Sequence, residues 1–281
     1  MAAVRFIARL DVKGPNLVKG VHLEGLRVLG KPEDFARHYY ENGIDELIFM
    51  DVVASLYGRN SLLDIIRKTS SEIFIPLSVG GGLRSIEDIR AVLAAGADKV
   101  CLNTAAIANP ELVREASRCF GSSTIVVSIE AIRQPDGSYE AYTDNGRQKT
   151  GVEAVGWARR AAELGAGEIM ITSVDREGTG QGYDLALTKS VASAVDIPVI
   201  ACGGAGRKEH VGDAVTQGWA NAVGVASLLH YNVLDVVGGT GSYEEEGNIE
   251  YLKGRRGFSH VERSSLGEIK EYLRGLGLEC R

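Results

Sequence analysis

Runs of basic residues, paired cysteines and long apolar spans are all missing from this chain of 281 residues. The four cysteines, Cys101, Cys119, Cys202 and Cys280, are widely spaced and form no C-x-x-C pair, and the five histidines are scattered. Neither a disulfide framework nor a structural zinc site fits that spacing, so no metal is expected. No cofactor is expected either. With no signal peptide and no long apolar stretch, the cytoplasm is the expected compartment, away from any membrane. Lys and Arg total 31 against 37 Asp and Glu, a formal charge of −6, with no basic run to follow a nucleic-acid backbone. Nucleic acid is therefore not an expected partner.

Glycine, in contrast, is abundant. The chain has 35 glycines in 281 residues, well above the usual ~7%, and they gather in loops. Two of those loops belong to a repeat. The segment IPLSVGGGLRSIEDIRAVLAAGADKVCLNTAAI, from Ile75, returns in outline from Ile197 as IPVIACGGAGRKEHVGDAVTQGWANAVGVASLL. Gly43-Ile44-Asp45-Glu46-Leu47 answers in the same way to Gly165-Ala166-Gly167-Glu168-Ile169, and the apolar run ending at Asp11 answers to the one ending at Glu130. Each half carries a Gly-rich loop after an apolar strand, a pattern for binding phosphate through backbone N–H groups. Two facing cradles predict a substrate with a phosphate at each end.

Short β-branched runs alternate with segments of helical period, as in βα units around a parallel sheet. Strands are expected at 4–10, 46–51, 74–79, 99–102, 124–129, 168–173, 198–201 and 222–226. Helices are expected at 31–42, 61–70, 85–95, 110–120, 151–164, 184–194 and 266–273. Ser85 with Asp88 and Ser265 with Glu268 read as helix-start capping boxes. Eight strands and this length predict a single α/β domain over 1–281, a (β/α)8 TIM barrel built from two repeated half-barrels. Residues 11–31 read as a long first loop suited to an active-site lid. Residues 232–264 read as a polar insertion before the last helix.

Barrel chemistry sits at the C-terminal ends of the strands. Those positions hold Asp11, Asp51, Gly80 to Gly82, Asn103 with Thr104, Glu130, Ser173 to Gly178, Gly203 with Gly204, and Ala226 with Ser227. Asp11 and Glu130, equivalent in the repeat, fall on opposite sides of the mouth, an arrangement for paired acid and base catalysis. Lys19, in the first loop, is placed to neutralise a phosphate or to help close the lid. Cys202 precedes a Gly pair but has no histidine beside it in sequence, so it reads as filling of the barrel rather than as a nucleophile.

The stretches LDVKGPNLVKG, DELIFMD, IPLSVGGGLRS, GADKVCLNTAAI, GAGEIMITSVDREGTGQGYD and IPVIACGGAG resemble the HisF family, the cyclase subunits of imidazole glycerol phosphate synthase. The resemblance runs from about Val4 to Tyr231 and resumes at Ser265. It implies that ammonia reacts with a bisphosphorylated formimino aminoimidazole-carboxamide ribonucleotide. Imidazole glycerol phosphate and an aminoimidazole carboxamide ribotide would be the products. It implies catalytic roles for Asp11 and Glu130, a loop lysine at Lys19, and substrate or phosphate contacts at Gly82, Asn103, Thr104, Glu177, Gly178, Gly204, Ala226 and Ser227. At the other end of the barrel it implies an ammonia gate of Arg5, Glu46, Lys99 and Glu168, with Asp98 at the interface to a separate class I glutaminase, a HisH-like subunit. Three positions depart from the family: Glu130 and Glu177 stand where it has Asp, and Arg9 where it commonly has Cys.

Those departures leave a second reading, a HisF paralogue that relays glutaminase ammonia to another acceptor, such as a cell-surface sugar. A third is a barrel that binds without catalysis. Two phosphate loops with two carboxylates favour turnover.

Overall fold

The computed structural model describes residues 3–54, 62–237 and 260–281. Eight parallel strands close on themselves: β1 (Arg5–Lys13), β4 (Glu46–Asp51), β5 (Leu77–Gly80), β6 (Lys99–Leu102), β7 (Ile125–Arg133), β10 (Glu168–Ser173), β11 (Val199–Cys202) and β12 (Ala222–Val225). Closure is made where β1 pairs with β12, and the half-barrels meet again where β6 pairs with β7, which in turn pairs with β10 within the second half. The eightfold parallel barrel expected from the βα pattern is present.

Side chains alternate across each strand. Phe6, Ala8 and Leu10 of β1 turn outward into the apolar layer under the helices, whereas Ile7 belongs to a second cluster with Ile48, Cys101, Val126, Met170 and Ile200. That second cluster fills the barrel interior, in the way barrel layers are usually filled. The outer layer is closed by α1 (Pro32–Glu41), α2 (Leu63–Ser70), α3 (Ile86–Ala94), α4 (Thr104–Ala108), α5 (Glu111–Phe120), α6 (Ala154–Glu163), α7 (Leu185–Ala192), α8 (Lys208–Thr216), α9 (Ser227–Val237) and α10 (Leu266–Gly275). Both expected capping boxes form, Ser85 with Asp88 and Ser265 with Glu268, and Pro32 starts α1 where its missing N–H has no cost.

Four expectations need correction. Residues 11–31 are no open loop: β1 continues to Lys13, and an antiparallel hairpin follows, β2 (Asn16–Val21) and β3 (Glu24–Gly30). The second half repeats the device, with β7 running on into β8 (Tyr139–Thr143) and β9 (Gln148–Glu153). The helix expected from Gly151 therefore starts at Ala154, because 148–153 is committed to the hairpin and the Glu153 carboxylate caps the helix by accepting the N–H groups of Val155 and Gly156. Strand β5 starts at Leu77 rather than Phe74, which is 79% exposed. The proline at position 76 has no N–H to give to a ladder. Of the expected insertion, 232–237 is the end of α9 and 238–259 lies outside the described residues. The chain returns at 260–264 against the second Gly-rich loop, where the Glu262 N–H donates to the Gly206 carbonyl at 2.7 Å.

Candidate active site

Strands β1 and β7 each carry an inward carboxylate where the barrel gives way to its hairpin. Asp11 pairs across the ladder with Val18 and Glu130 with Tyr142, so the repeat seen in the sequence is a repeat in space. Asp11 is buried, with one oxygen accepting from Arg9 Nε at 3.0 Å and the other 3.7 Å from Lys19 Nζ. Lys19 is buried on β2, not carried on a mobile loop, and its ammonium also pairs with Glu177. The hairpin is held closed over the mouth. His22 and Leu23 at its tip adopt left-handed φ angles of 51° and 63°. His22 N donates to the Glu177 carbonyl at 2.8 Å, and Asn145 Nδ2 to the Leu23 carbonyl at 2.9 Å.

The two carboxylates sit in opposite electrostatic surroundings. Burial pushes the Asp11 carboxyl upward, but the Arg9 and Lys19 charges outweigh it and hold the group below the usual carboxylate range. Burial pushes Glu130 up to about 7, because only the more distant Arg9 charge and one backbone hydrogen bond oppose it, while Asp11 and Asp144 add to the rise. Near neutral pH one is an anion and the other is poised to give or take a proton, the division of labour that acid and base catalysis requires.

Glu130 borders a cavity of about 310 Å³ that also exposes Arg9, Asp51, Gly82, Asn103 and Thr104. The first Gly-rich loop thus shares one cavity with Glu130 and Arg9, while Asp11 lies behind Arg9, outside the lining. Gly81 and Gly82 have φ of 99° and 70°, and a Cβ on Gly81 would lie 2.8 Å from the Cβ of Asp51, so neither position accommodates a side chain without strain. Asn103 Oδ1 is buried and has no hydrogen-bond partner among the described residues. A buried acceptor in that condition is costly unless a ligand completes it.

The second cradle lies outside the lining of that cavity. Gly203 and Gly204, with φ of 92° and 106°, follow β11, and Ala226 and Ser227 lead into α9. Ser173 Oγ, at the end of β10, is buried without a partner among the described residues. Gly178 serves the hairpin: a Cβ there would fall 2.9 Å from Val21 Cα. Cys202 is buried, and burial drives its thiol up to about 12, which suits filling and not nucleophilic attack.

At the opposite end Arg5, Glu46, Lys99 and Glu168 form a closed ring of alternating charge. Arg5 reaches Glu46 and Glu168 at 2.8 Å each, and Lys99 reaches them at 3.2 and 2.6 Å. Burial alone would raise the Glu168 carboxyl, but hydrogen bonds and charge from Arg5 and Lys99 bring it below its ordinary value. The apolar interior cluster lies between this ring and Arg9. Asp98 is exposed at the same end, and its carboxylate accepts the Leu77 N–H at 2.9 Å.

Two further contributors lie beyond what the family resemblance assigns. Arg9 is one, turned inward by the alternation Arg5, Ile7, Arg9, Asp11 along β1. The turn Asp144-Asn145-Gly146, which grips Glu130 and the first hairpin, carries an Asn-Gly hairpin signal that was legible.

A family model described as histidine biosynthesis protein matches residues 5–235. The chain is 57% identical over 209 residues to the imidazole glycerol phosphate synthase subunit HisF of Legionella pneumophila, covering 74% of this chain and 99% of the relative. It belongs to the HisF family of histidine biosynthesis proteins. A second HisF, from Alkaliphilus metalliredigens (strain QYMF), is 49% identical over 236 residues, 84% of this chain and 94% of that relative. Neither HisF relative supports transfer of ammonia to a different acceptor. Among the described residues there is no group of His, Cys, Asp and Glu able to hold a metal ion, and no helix long and apolar enough to cross a membrane.

Proposed function

We propose that the protein is the synthase subunit of imidazole glycerol phosphate synthase. It takes ammonia and the bisphosphorylated formimino aminoimidazole-carboxamide ribonucleotide to imidazole glycerol phosphate and aminoimidazole carboxamide ribotide. The observation that carries the reading is the unequal pair of buried carboxylates, Asp11 and Glu130, with Glu130 lining a cavity that the first Gly-rich loop also lines. Ammonia addition, elimination and ring closure all move protons on and off the same small region of substrate. Asp11 serves as the proton acceptor and Glu130 as the donor. Gly82, Asn103 and Thr104 hold one phosphate, and Gly204, Ala226 and Ser227 the other. Lys19 and Glu177 keep the hairpin closed, with Gly178 giving the room for it.

Ammonia arrives from a separate class I glutaminase docked at the bottom of the barrel beside Asp98. The ring of Arg5, Glu46, Lys99 and Glu168 guards its entry, and the chain acts in the cytoplasm. The test is turnover of the bisphosphorylated substrate by the isolated protein with excess ammonium salt at alkaline pH. Formation of both products is expected. No product from folded protein, verified by circular dichroism, overturns the reading.

A further inference from the structure

Two residues before each of the paired carboxylates the half-barrels differ sharply: Arg9 precedes Asp11, and Ser128 precedes Glu130. Both positions are buried in the barrel, at 3% and 1% exposure. Arg9 does more than sit beside Asp11. While Nε donates to Asp11 at 3.0 Å, Nη1 donates to Thr172 Oγ1 at 3.1 Å, so the guanidinium crosses the interior from β1 to β10. Thr172 is the ladder partner of Glu130. One planar, fixed-charge group therefore spans the space between the two carboxylates and takes its direct ionic contact with only one of them.

We propose that Arg9 is the positioning residue that makes two repeat-equivalent carboxylates chemically unequal, locking Asp11 as the proton acceptor while Ser128, in the matching place, leaves Glu130 as the donor. This rests on the assignment of the pair to acid and base catalysis. The surroundings agree with it. Asp11 is faced by Arg9 on its own strand, Lys19 on β2, Glu177 after β10 and His230 on α9; Glu130 is faced by Arg9, Asp11 and Asp144. His230 brings no charge near neutrality, since burial and Lys19 push it down to about 3. Its ring Nε2 meets the Arg9 carbonyl at 3.0 Å and its Nδ1 the Tyr39 hydroxyl at 2.6 Å. The Cys202 thiol beside Arg9, pushed up to about 12, is neutral as well. Arg9 and Lys19 are thus the cations acting on Asp11, and Arg9 alone bonds it through a guanidinium anchored at both ends.

The test reads the carboxyl groups directly, without turnover. In protein labelled with carbon-13 at the Asp and Glu carboxyls, the Asp11 titration midpoint should rise by about one unit or more in Arg9→Met, as expected for loss of an adjacent opposite charge. Arg9→Lys, which keeps a buried cation without the planar fork, should give a smaller rise. It also guards against a variant that simply fails to fold. If the parent protein turns over substrate, the acid limb of its kcat/KM profile should move up by the same amount. An Asp11 midpoint that stays in place in either folded variant overturns the role of Arg9. Absence of turnover in the parent counts against the catalytic reading alone, because the titration stands without it.

Discussion

The backbone N–H of Gly146 donates to Oε2 of Glu130 at 2.8 Å, tying the longer carboxylate of the pair to the turn of the second hairpin. The extra methylene is thus used, not merely tolerated. Gly146 adopts φ of 76°, a left-handed conformation that glycine takes without strain. The turn it forms also holds the first hairpin through Asn145. The acid and the cover over the site share one support.

Glu130→Asp should therefore lower turnover, because the shorter side chain cannot reach both the Gly146 N–H and the reacting atoms. A fall on the order of 10-fold to 10²-fold is expected for a displacement of about 1 Å. Glu130→Gln and Asp11→Asn should each cost ~10² or more in kcat with little change in substrate affinity. Steady-state kinetics with ammonium as donor is the measurement, and a gain of activity in Glu130→Asp would contradict this placement of the acid.

The pH dependence follows from Glu130. A donor whose carboxyl sits at about 7 loses its proton above neutrality, so kcat/KM should carry a descending limb near that pH. Glu130→Gln should remove the limb. Stability has the matching sign. The unfolded carboxyl ionises near 4.5 while the folded one holds its proton to about 7, so the folded state binds more protons between those values and loses stability as pH rises through them. The variant should be spared a pH-dependent loss of up to ~3 kcal/mol in denaturant titrations compared at pH 4 and pH 8.

At the barrel bottom, Glu168→Gln would leave Arg5 and Lys99 to share Glu46. The ring is mostly buried, with side-chain exposures of 4 to 16%. Stability should fall by ~1–3 kcal/mol, lowering Tm by several degrees. Because Glu168 titrates below its ordinary value when folded, its contribution is full above the unfolded carboxylate pKa and disappears as pH falls through the folded one. Calorimetry should show the two proteins converging in acid, and identical Tm values at neutral pH would mean that the ring adds nothing to stability.

Asp98 has a structural contact that a test of its proposed interface role must preserve. Its carboxylate accepts the Leu77 N–H, and its charge faces solvent at the proposed docking end. Asp98→Asn keeps an acceptor and removes only the charge. It should weaken capture of a class I glutaminase by several-fold, mostly through slower association, while ammonium-dependent turnover persists. Equal affinity for the glutaminase in surface-binding kinetics would take Asp98 out of the interface.

The barrel was readable in the sequence because its signals are local: β-branched runs, capping boxes, Gly-rich loops and a repeat that places each half on the other. The places of Asp11, Glu130 and the two Gly-rich loops at strand ends were likewise legible, because each directly follows an apolar run. The hairpins were harder. The ladder that converts 11–31 from loop to sheet is visible only as paired backbone, and its alternation is weakened by Gly20, Gly25 and Lys19.

Residue types, their order and the twofold repeat were determined by the sequence alone. Tertiary structure decided which charges meet. Lys19 is buried because Glu177, distant in the chain, is brought to its ammonium, and Arg9 becomes a bridge because closure of the barrel carries Thr172 to its far side. The same closure makes Asp11 an anion and Glu130 an acid near neutrality. Desolvation and nearby charge set a pKa, and both depend on what folding packs around a carboxyl rather than on its neighbours in sequence.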